Sequence, residues 1–157
     1  MEILEVHTSE YKIAQAPQVL RTTGIGSCIA LCLYDRARKT GGLAHIMLPS
    51  SSDWQALSEN TPPARFSDTA IKAMLAEFQS KGISPAGLEA KIAGGAHMFK
   101  SIKTDAENSL GSKNADAVRE NLKIAGIRLL KADTGGDVGR SLTFDLETGT
   151  AEVITKM

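Results

Sequence analysis

Residues 24–48 read GIGSCIALCLYDRARKTGGLAHIML. This stretch consists of a glycine-rich turn, a strand that opens at Cys28, a polar loop, and a second strand that carries His45. Apolar residues occupy both faces of both strands, which is typical of strands buried in the middle of a layered protein. We therefore predict that a hairpin lies at the centre of the structure.

The register of this hairpin follows from the length of its loop. A four-residue loop over residues 35–38 is a simple connection between the two strands. It places Tyr34 opposite Lys39, and counting back along both strands places Cys28 directly opposite His45. The Cβ atoms of directly opposed residues lie about 4.5–5.5 Å apart, which is close enough for a thiol and an imidazole to meet. A slip of one residue would send one of these side chains to the other face of the sheet, so the register is a hypothesis.

The composition is that of an ordinary globular domain. The chain has 157 residues, of which 42% are hydrophobic and 23% charged, and this length supplies a sizeable core. Its 18 basic and 18 acidic residues balance, which argues against a broad nucleic-acid-binding surface. We therefore predict a single domain over residues 1–157 with no nucleic-acid partner.

The sequence also argues against membrane insertion. No stretch approaches the ~20 apolar residues of a membrane span. The first residues, MEILEVHTSEYK, are charged and lack the apolar core of a signal peptide. The cytoplasm is therefore the expected compartment, and there Cys28 and Cys32 should stay reduced.

Two helices and several further strands are expected around the hairpin. Residues 67–81 carry apolar side chains at the spacing of a helix with one buried stripe, with Ser67 as the N-cap. A similar stripe predicts a second helix over residues 114–125. Polar stretches predict surface loops over residues 50–63 and 103–112. Further strands are predicted over residues 19–23, 88–93, 127–132, 141–146 and 151–155, besides two short β-prone runs before Pro17.

These elements predict the α+β fold class. Many strands joined by hairpins, together with two helices, indicate a layered α/β sandwich with mostly antiparallel or mixed sheets. The two main helices are expected to pack on the outside of the sheets.

The residues around Cys28 have the properties of a nucleophile site. Glycines before it allow a sharp turn, and the backbone amides near Gly26 and Ser27 are suited to hold an oxyanion or a substrate. A free cysteine is only a few per cent thiolate near pH 7, so a neighbouring imidazole would supply the missing activation. His45 is the best candidate for that base. The alternative is that Cys28 is a small buried core residue and His45 a core histidine with its hydrogen bonds satisfied.

Other candidate residues give weaker signals. Cys32 lies on the same strand face as Cys28, and its leucine neighbours indicate burial. His97 follows a Gly-Gly turn and is more simply explained as a structural or surface residue, and His7 has no obvious partner. The loop DTGGD over residues 133–137 is compatible with a phosphate or a cation, but it lacks the Lys and Ser/Thr of a P-loop.

Several segments resemble those of one known family. GIGSCIALCLYD, GGLAHIMLP, KIAGGAHMF, NADAVRENL and DTGGDVGRSLTFDLETG occur in this order, and together they resemble the CheD family of chemoreceptor glutamine deamidases. The resemblance covers about residues 19–153. It implies that Cys28 and His45 are catalytic and that Thr22, six residues before the cysteine, is the third catalytic position, although Thr23 stands beside it. It also implies an α/β sandwich similar to that of toxin-type cysteine deamidases.

The same resemblance implies a function. The expected reaction is hydrolysis of specific glutamine side chains to glutamate in the cytoplasmic helices of chemoreceptors, with no metal and no organic cofactor. The new glutamate would then serve as a methylation site. A second reading, from a different class of function, is a binding module that regulates a CheC-type chemotaxis phosphatase.

Overall fold

The structure is a computed structural model that describes residues 2–53, 60–98 and 108–156. Those residues form nine β-strands and two α-helices, together with three short 3-10 turns. The strands are β1 (Ile3–Glu5), β2 (Tyr11–Gln15), β3 (Val19–Ile25), β4 (Ile29–Asp35), β5 (Thr40–Ile46), β6 (Glu89–Gly94), β7 (Arg128–Thr134), β8 (Gly139–Asp145) and β9 (Thr150–Lys156), and the helices are α1 (Ser67–Ser80) and α2 (Leu110–Ala125).

The strands form two mixed sheets. The four-stranded sheet has the order β1-β3-β8-β9, and the five-stranded sheet has the order β2-β5-β4-β6-β7. The pairs β1–β3 and β6–β7 are parallel, and all other pairs in these sheets are antiparallel. Because parallel neighbours need a crossover, α2 connects β6 to β7 and covers the sheet on its outer face.

The predicted hairpin lies at the centre of the molecule. Every residue of β4 and β5 is buried, because one face of these strands packs against the helices and the other against the four-stranded sheet. Successive side chains of β4 point to opposite faces of the sheet. Leu31 packs in the core beneath the helices, and Ala30 packs in the core between the two sheets. The molecule thus has three layers, and the predicted α+β sandwich with two outer helices is confirmed.

The two helices are amphipathic, as predicted. The stripe of α1 buries Ile71, Met74 and Phe78, and that of α2 buries Val118 and Leu122 against the same sheet. No helix within the described residues is both long and apolar enough to cross a membrane.

The predicted hairpin register is wrong by two residues. Asp35 pairs with Thr40, so the four-residue loop is 36–39, and His45 lies opposite Ala30 rather than Cys28. The Asp35 carboxylate accepts hydrogen bonds from the backbone N–H groups of the loop, which holds the turn one residue later than predicted. Cys28 itself precedes β4, in the turn, instead of opening the strand. A shift of two residues keeps the predicted face, because the side-chain period of a strand is two.

Two helix starts also differ from prediction. The N-cap of α1 is Phe66, because the Ser67 hydroxyl donates to the carbonyl of Pro49 instead of capping the helix. Helix α2 begins at Leu110 rather than Asn114, where the Ser109 side chain accepts a hydrogen bond from the backbone of the first turn. The predicted loop over residues 103–112 is therefore wrong for its last three residues. Its first five residues, and residues 54–59 of the other predicted loop, lie outside the described part of the chain.

Candidate functional site

Two of the predicted site residues meet across the gap between the sheets. Thr22 belongs to β3 of the four-stranded sheet, and His45 belongs to β5 of the five-stranded sheet. Their side chains are almost fully buried, and Thr22 Oγ1 lies 2.8 Å from His45 Nδ1. Thr23 points outward and is exposed, as expected for the next residue of a strand, so the structure distinguishes the two threonines.

The hydrogen bonds of Thr22 determine the tautomer of His45. The hydroxyl of Thr22 is 2.7 Å from the carbonyl oxygen of Val6, which can only accept a hydrogen bond. The single hydroxyl proton therefore goes to Val6, and the oxygen must accept the N–H of His45 Nδ1. It follows that His45 Nε2 carries the lone pair.

His45 Nε2 is a buried nitrogen with no hydrogen-bond partner within the described residues. Burial, and in second place the nearby charge of His7, lower the pKa of His45 below its ordinary value. The imidazole is therefore neutral at pH 7 and can accept a proton at Nε2. A buried unsatisfied group of this kind needs an explanation, and a catalytic role is one of the common ones.

Cys28 lies on the same side of the five-stranded sheet as His45. Its half-buried side chain packs against the apolar cluster between the sheets. Extending the register of β4 and β5 by one residue places Cys28 opposite Met47 and diagonal to His45. Diagonal neighbours are about 7–8 Å apart, within reach of longer side chains. The thiol and the imidazole do not hydrogen-bond in this structure, and burial raises the pKa of Cys28, so the thiol is protonated at pH 7.

The turn that carries Cys28 is held through its carbonyl groups. The carbonyl of Gly26 accepts a hydrogen bond from the amide of Ala96, and that of Cys28 accepts one from the amide of Gly95. The carbonyl between them, that of Ser27, accepts from a side chain of α2 at 2.8 Å. Within the described residues, the backbone N–H groups of Ser27 and Cys28 donate to no partner. The carbonyls thus face the protein while two adjacent amides remain available.

The Gly-Gly turn after β6 is the support for this arrangement. Gly94 has a φ of +119°, and a Cβ there would lie 2.2 Å from the carbonyl oxygen of Cys28. Only glycine fits this conformation and this close approach. The Gly-Gly pair of KIAGGAHMF therefore positions the Cys28 turn, a role that its sequence alone does not indicate, because the contact joins segments far apart in the chain.

Three other features singled out in the sequence, Cys32, His97 and the loop over residues 133–137, make contacts within the fold. Cys32 is buried as predicted, and burial raises its pKa to about 12. The backbone N–H of His97 donates to Gly136, and that of Gly135 donates to Gly94, so the loop after β7 braces the Gly-Gly turn. The buried Arg140 side chain donates to the carbonyl of Gly135 and reinforces the same loop.

The fold and this group of side chains together define the class of protein to which the chain belongs. The chain is a layered α+β protein in which a half-buried cysteine lies beside the apolar cluster between the sheets, and a histidine of the central hairpin pairs with a threonine of the facing sheet. A family model described as CheD, chemotactic sensory transduction, matches residues 47–155. That match covers more than half of the 157 residues, and the chain belongs to the CheD family. The resemblance noted from the sequence motifs is thereby confirmed.

Curated relatives match nearly the whole chain. The probable chemoreceptor glutamine deamidase CheD of Syntrophomonas wolfei is 46% identical over 148 residues, covering 94% of this chain and 90% of the relative. The probable chemoreceptor glutamine deamidase CheD of Desulforamulus reducens is 40% identical over 152 residues, covering 97% and 90%. The chemoreceptor glutamine deamidase CheD of Thermotoga maritima is 41% identical over 140 residues, covering 89% and 83%.

A solved structure, that of the Bacillus licheniformis hypothetical protein YfiH, superposes with a TM-score of 0.48 and 14% sequence identity, covering 78% of this chain and 49% of that chain.

Proposed function

We propose that this protein hydrolyses the side-chain amide of specific glutamines in chemoreceptor helices, with Cys28 as nucleophile and His45 as general base. The observation that carries the proposal is the chain of hydrogen bonds from Val6 through Thr22 to His45. It leaves an unprotonated, unpaired imidazole nitrogen on the side of the sheet where Cys28 lies. The names of the curated relatives supply the substrate class. Release of ammonia from a purified receptor cytoplasmic fragment tests the proposal.

The first half of the reaction forms a thioester. The Cys28 thiol passes its proton to His45 Nε2 while the sulfur attacks the glutamine Cδ, and the carbonyl electrons move onto oxygen. The amides of Ser27 and Cys28, which have no acceptor within the described residues, hold that oxyanion. The imidazolium then gives its proton to the departing nitrogen, the C–N bond breaks, and ammonia leaves.

The second half hydrolyses the thioester with the same groups. His45 Nε2 takes a proton from water, and the resulting hydroxyl attacks the acyl carbon. The C–S bond breaks, the new glutamate leaves, and the imidazolium returns its proton to the Cys28 sulfur. In both halves Thr22 keeps the Nδ1 proton in place, so that Nε2 remains the working nitrogen.

The surface around Cys28 suits a folded helix as substrate. Met47 and Met98, exposed by 39% and 42%, lie beside the Cys28 turn, and the Met98 side chain passes close above Gly26. Flexible thioether side chains adapt to the apolar face of a helix. Gly26 therefore contributes to substrate binding by leaving room for Met98. A CheC-type phosphatase as a regulatory partner on this surface stays a prediction from the family resemblance.

Thr22 should matter through its hydroxyl. In Thr22→Val the Nδ1–H of His45 loses its acceptor and the tautomer is no longer imposed, so we expect kcat for deamidation to fall roughly 10–100-fold. Thr22→Ser keeps the hydroxyl and is the matched control, with kcat close to that of the wild-type protein. Steady-state kinetics on receptor fragment measure both. Equal kcat values for the valine and serine variants would contradict the tautomer role.

The pH dependence of the reaction should reflect the burial of His45. Its pKa is lowered, so the base form persists below pH ~6.5, the ordinary histidine value. As pH falls, kcat/KM should therefore decrease only once the pH passes through that lowered pKa, which places the acidic limb below pH ~6.5.

A pH–rate profile on receptor fragment locates this limb. In the variant His7→Gln the electrostatic contribution of His7, which lowers the pKa of His45, is absent, so the limb should move to higher pH. If the acidic limb of the wild-type protein lay at a pH above the ordinary pKa of histidine, this would contradict a buried, neutral His45 as the base.

A further inference from the structure

A buried asparagine of α2 connects the nucleophile turn with the strand that carries the base. Asn114 is fully buried in the first turns of the helix. Its Nδ2 donates to the carbonyl of Ser27 at 2.8 Å and to the carbonyl of Met47 at 3.0 Å. Both amide protons are thereby used. One binds the carbonyl of the residue before Cys28, and the other binds the carbonyl of Met47, which lies two positions after His45.

The orientation of this amide is determined by its partners. Turning the group over would place Oδ1 against two carbonyl oxygens, which cannot donate. In the observed orientation Asn114 Oδ1 is buried with no hydrogen-bond partner within the described residues. Burying an acceptor without a partner costs free energy. The amide is therefore held in place by the two hydrogen bonds that it donates.

The bond to Ser27 also orients the amide of Cys28. The peptide between these residues is trans, and in a planar trans peptide the carbonyl and the following N–H point in opposite directions. Since the carbonyl of Ser27 points at α2, the N–H of Cys28 points away from the helix. This N–H donates to no group within the described residues.

We propose that Asn114 is a positioning residue for deamidation, which turns the Cys28 amide outward as an oxyanion donor and keeps the Cys28 turn in register with the His45 strand. The inference rests on the proposed function and deepens it. Asn114 touches no reacting atom; it acts through the Ser27–Cys28 peptide. A donor turned away from the developing oxyanion is lost to catalysis, so the chemical step should suffer more than substrate binding.

The test uses the full-length protein and a purified receptor cytoplasmic fragment. Asn114→Ala removes both donors, and the isosteric Asn114→Asp keeps the side-chain volume while replacing the two donors by a group that repels the carbonyls when ionised. We expect kcat to fall about 10–100-fold in both variants, with KM nearly unchanged. Asn121→Ala is the matched control on the same helix, because Asn121 donates to Ser67 and does not touch the Cys28 turn. Its kcat should remain near the wild-type value.

A second readout separates positioning from folding. Iodoacetamide is attacked at a saturated carbon, so alkylation of Cys28 needs no oxyanion donor and should be much less affected than kcat in the Asn114 variants. Cys32 is buried and reports unfolding, because it becomes reactive only when the core opens. Peptide mapping after alkylation measures both cysteines.

The outcomes are distinguishable. A wild-type protein that releases no ammonia overturns the proposed function and this inference together. An active wild-type protein with kcat retained in Asn114→Ala and Asn114→Asp overturns the inference alone. Labelling of Cys32 in both variants, or a KM effect without a kcat effect, would show that Asn114 serves the fold or the docking surface, and would also overturn the positioning role.

Discussion

Replacing Cys28 by alanine is expected to reduce deamidation of receptor glutamines to the uncatalysed background, a loss on the order of 10⁴-fold or more. Without the sulfur no thioester forms, and water held near His45 is a poor substitute for an attached nucleophile. The variant should stay folded, because Cys28 is a half-buried turn residue whose backbone carbonyl, and not its side chain, accepts the hydrogen bond from the Gly-Gly turn.

The matched control is Cys32→Ala. Cys32 lies on the same face of the hairpin, is fully buried, and has no part in the proposed reaction. We expect it to lower the free energy of unfolding while leaving kcat near that of the wild-type protein. Substantial deamidation by Cys28→Ala, measured as ammonia release per mole of protein, would contradict a cysteine mechanism.

Replacing His45 by alanine should reduce kcat about 10²–10⁴-fold, because the thiol of Cys28 is protonated at pH 7 and needs a base. His45→Asn is a second test, since its amide can still donate to Thr22 but cannot accept the thiol proton. Both variants should also slow the alkylation of Cys28 by iodoacetamide. In the wild-type protein Cys28 should be labelled well before the buried Cys32.

The double variant of Cys28 and His45 refines this prediction. Residues that act as a unit show strongly non-additive effects, so Cys28→Ala combined with His45→Ala should be little worse than Cys28→Ala alone. A double variant that is slower by the product of the two single losses would mean that His45 acts independently of the thiol.

The central hairpin was predictable because its signal is a simple one. Two strands with apolar residues on both faces must lie between two layers, and the three-layer fold places β4 and β5 there. The shared face of Cys28 and His45 was predictable for a related reason. An error of two residues in the register keeps every side chain on its predicted face, because the side-chain period of a strand is two. The register itself was not predictable, because the contacts of Asp35 with the loop that set it leave no periodic signal in the sequence.

Other parts of the site follow from contacts between distant segments. The carbonyl of Val6, which directs the Thr22 hydroxyl, is a backbone group and has no side-chain signature. Asn114 stood at the start of a predicted helix, where a polar residue is normally read as exposed, yet it is fully buried against Ser27 and Met47. The early start of α2 at Leu110 was missed because its first turn, LGS, carries little apolar periodicity.

The most direct test of the account is mass spectrometry of receptor peptides after incubation with this protein. A deamidated glutamine gains about one dalton, because NH₂ is replaced by OH. We expect this gain at discrete glutamines of a purified receptor cytoplasmic fragment with the wild-type protein and with Cys32→Ala, and no gain with Cys28→Ala. An unchanged fragment after incubation with the wild-type protein, or an equal gain with Cys28→Ala, would contradict the proposal that Cys28 is the nucleophile of a chemoreceptor glutamine deamidase.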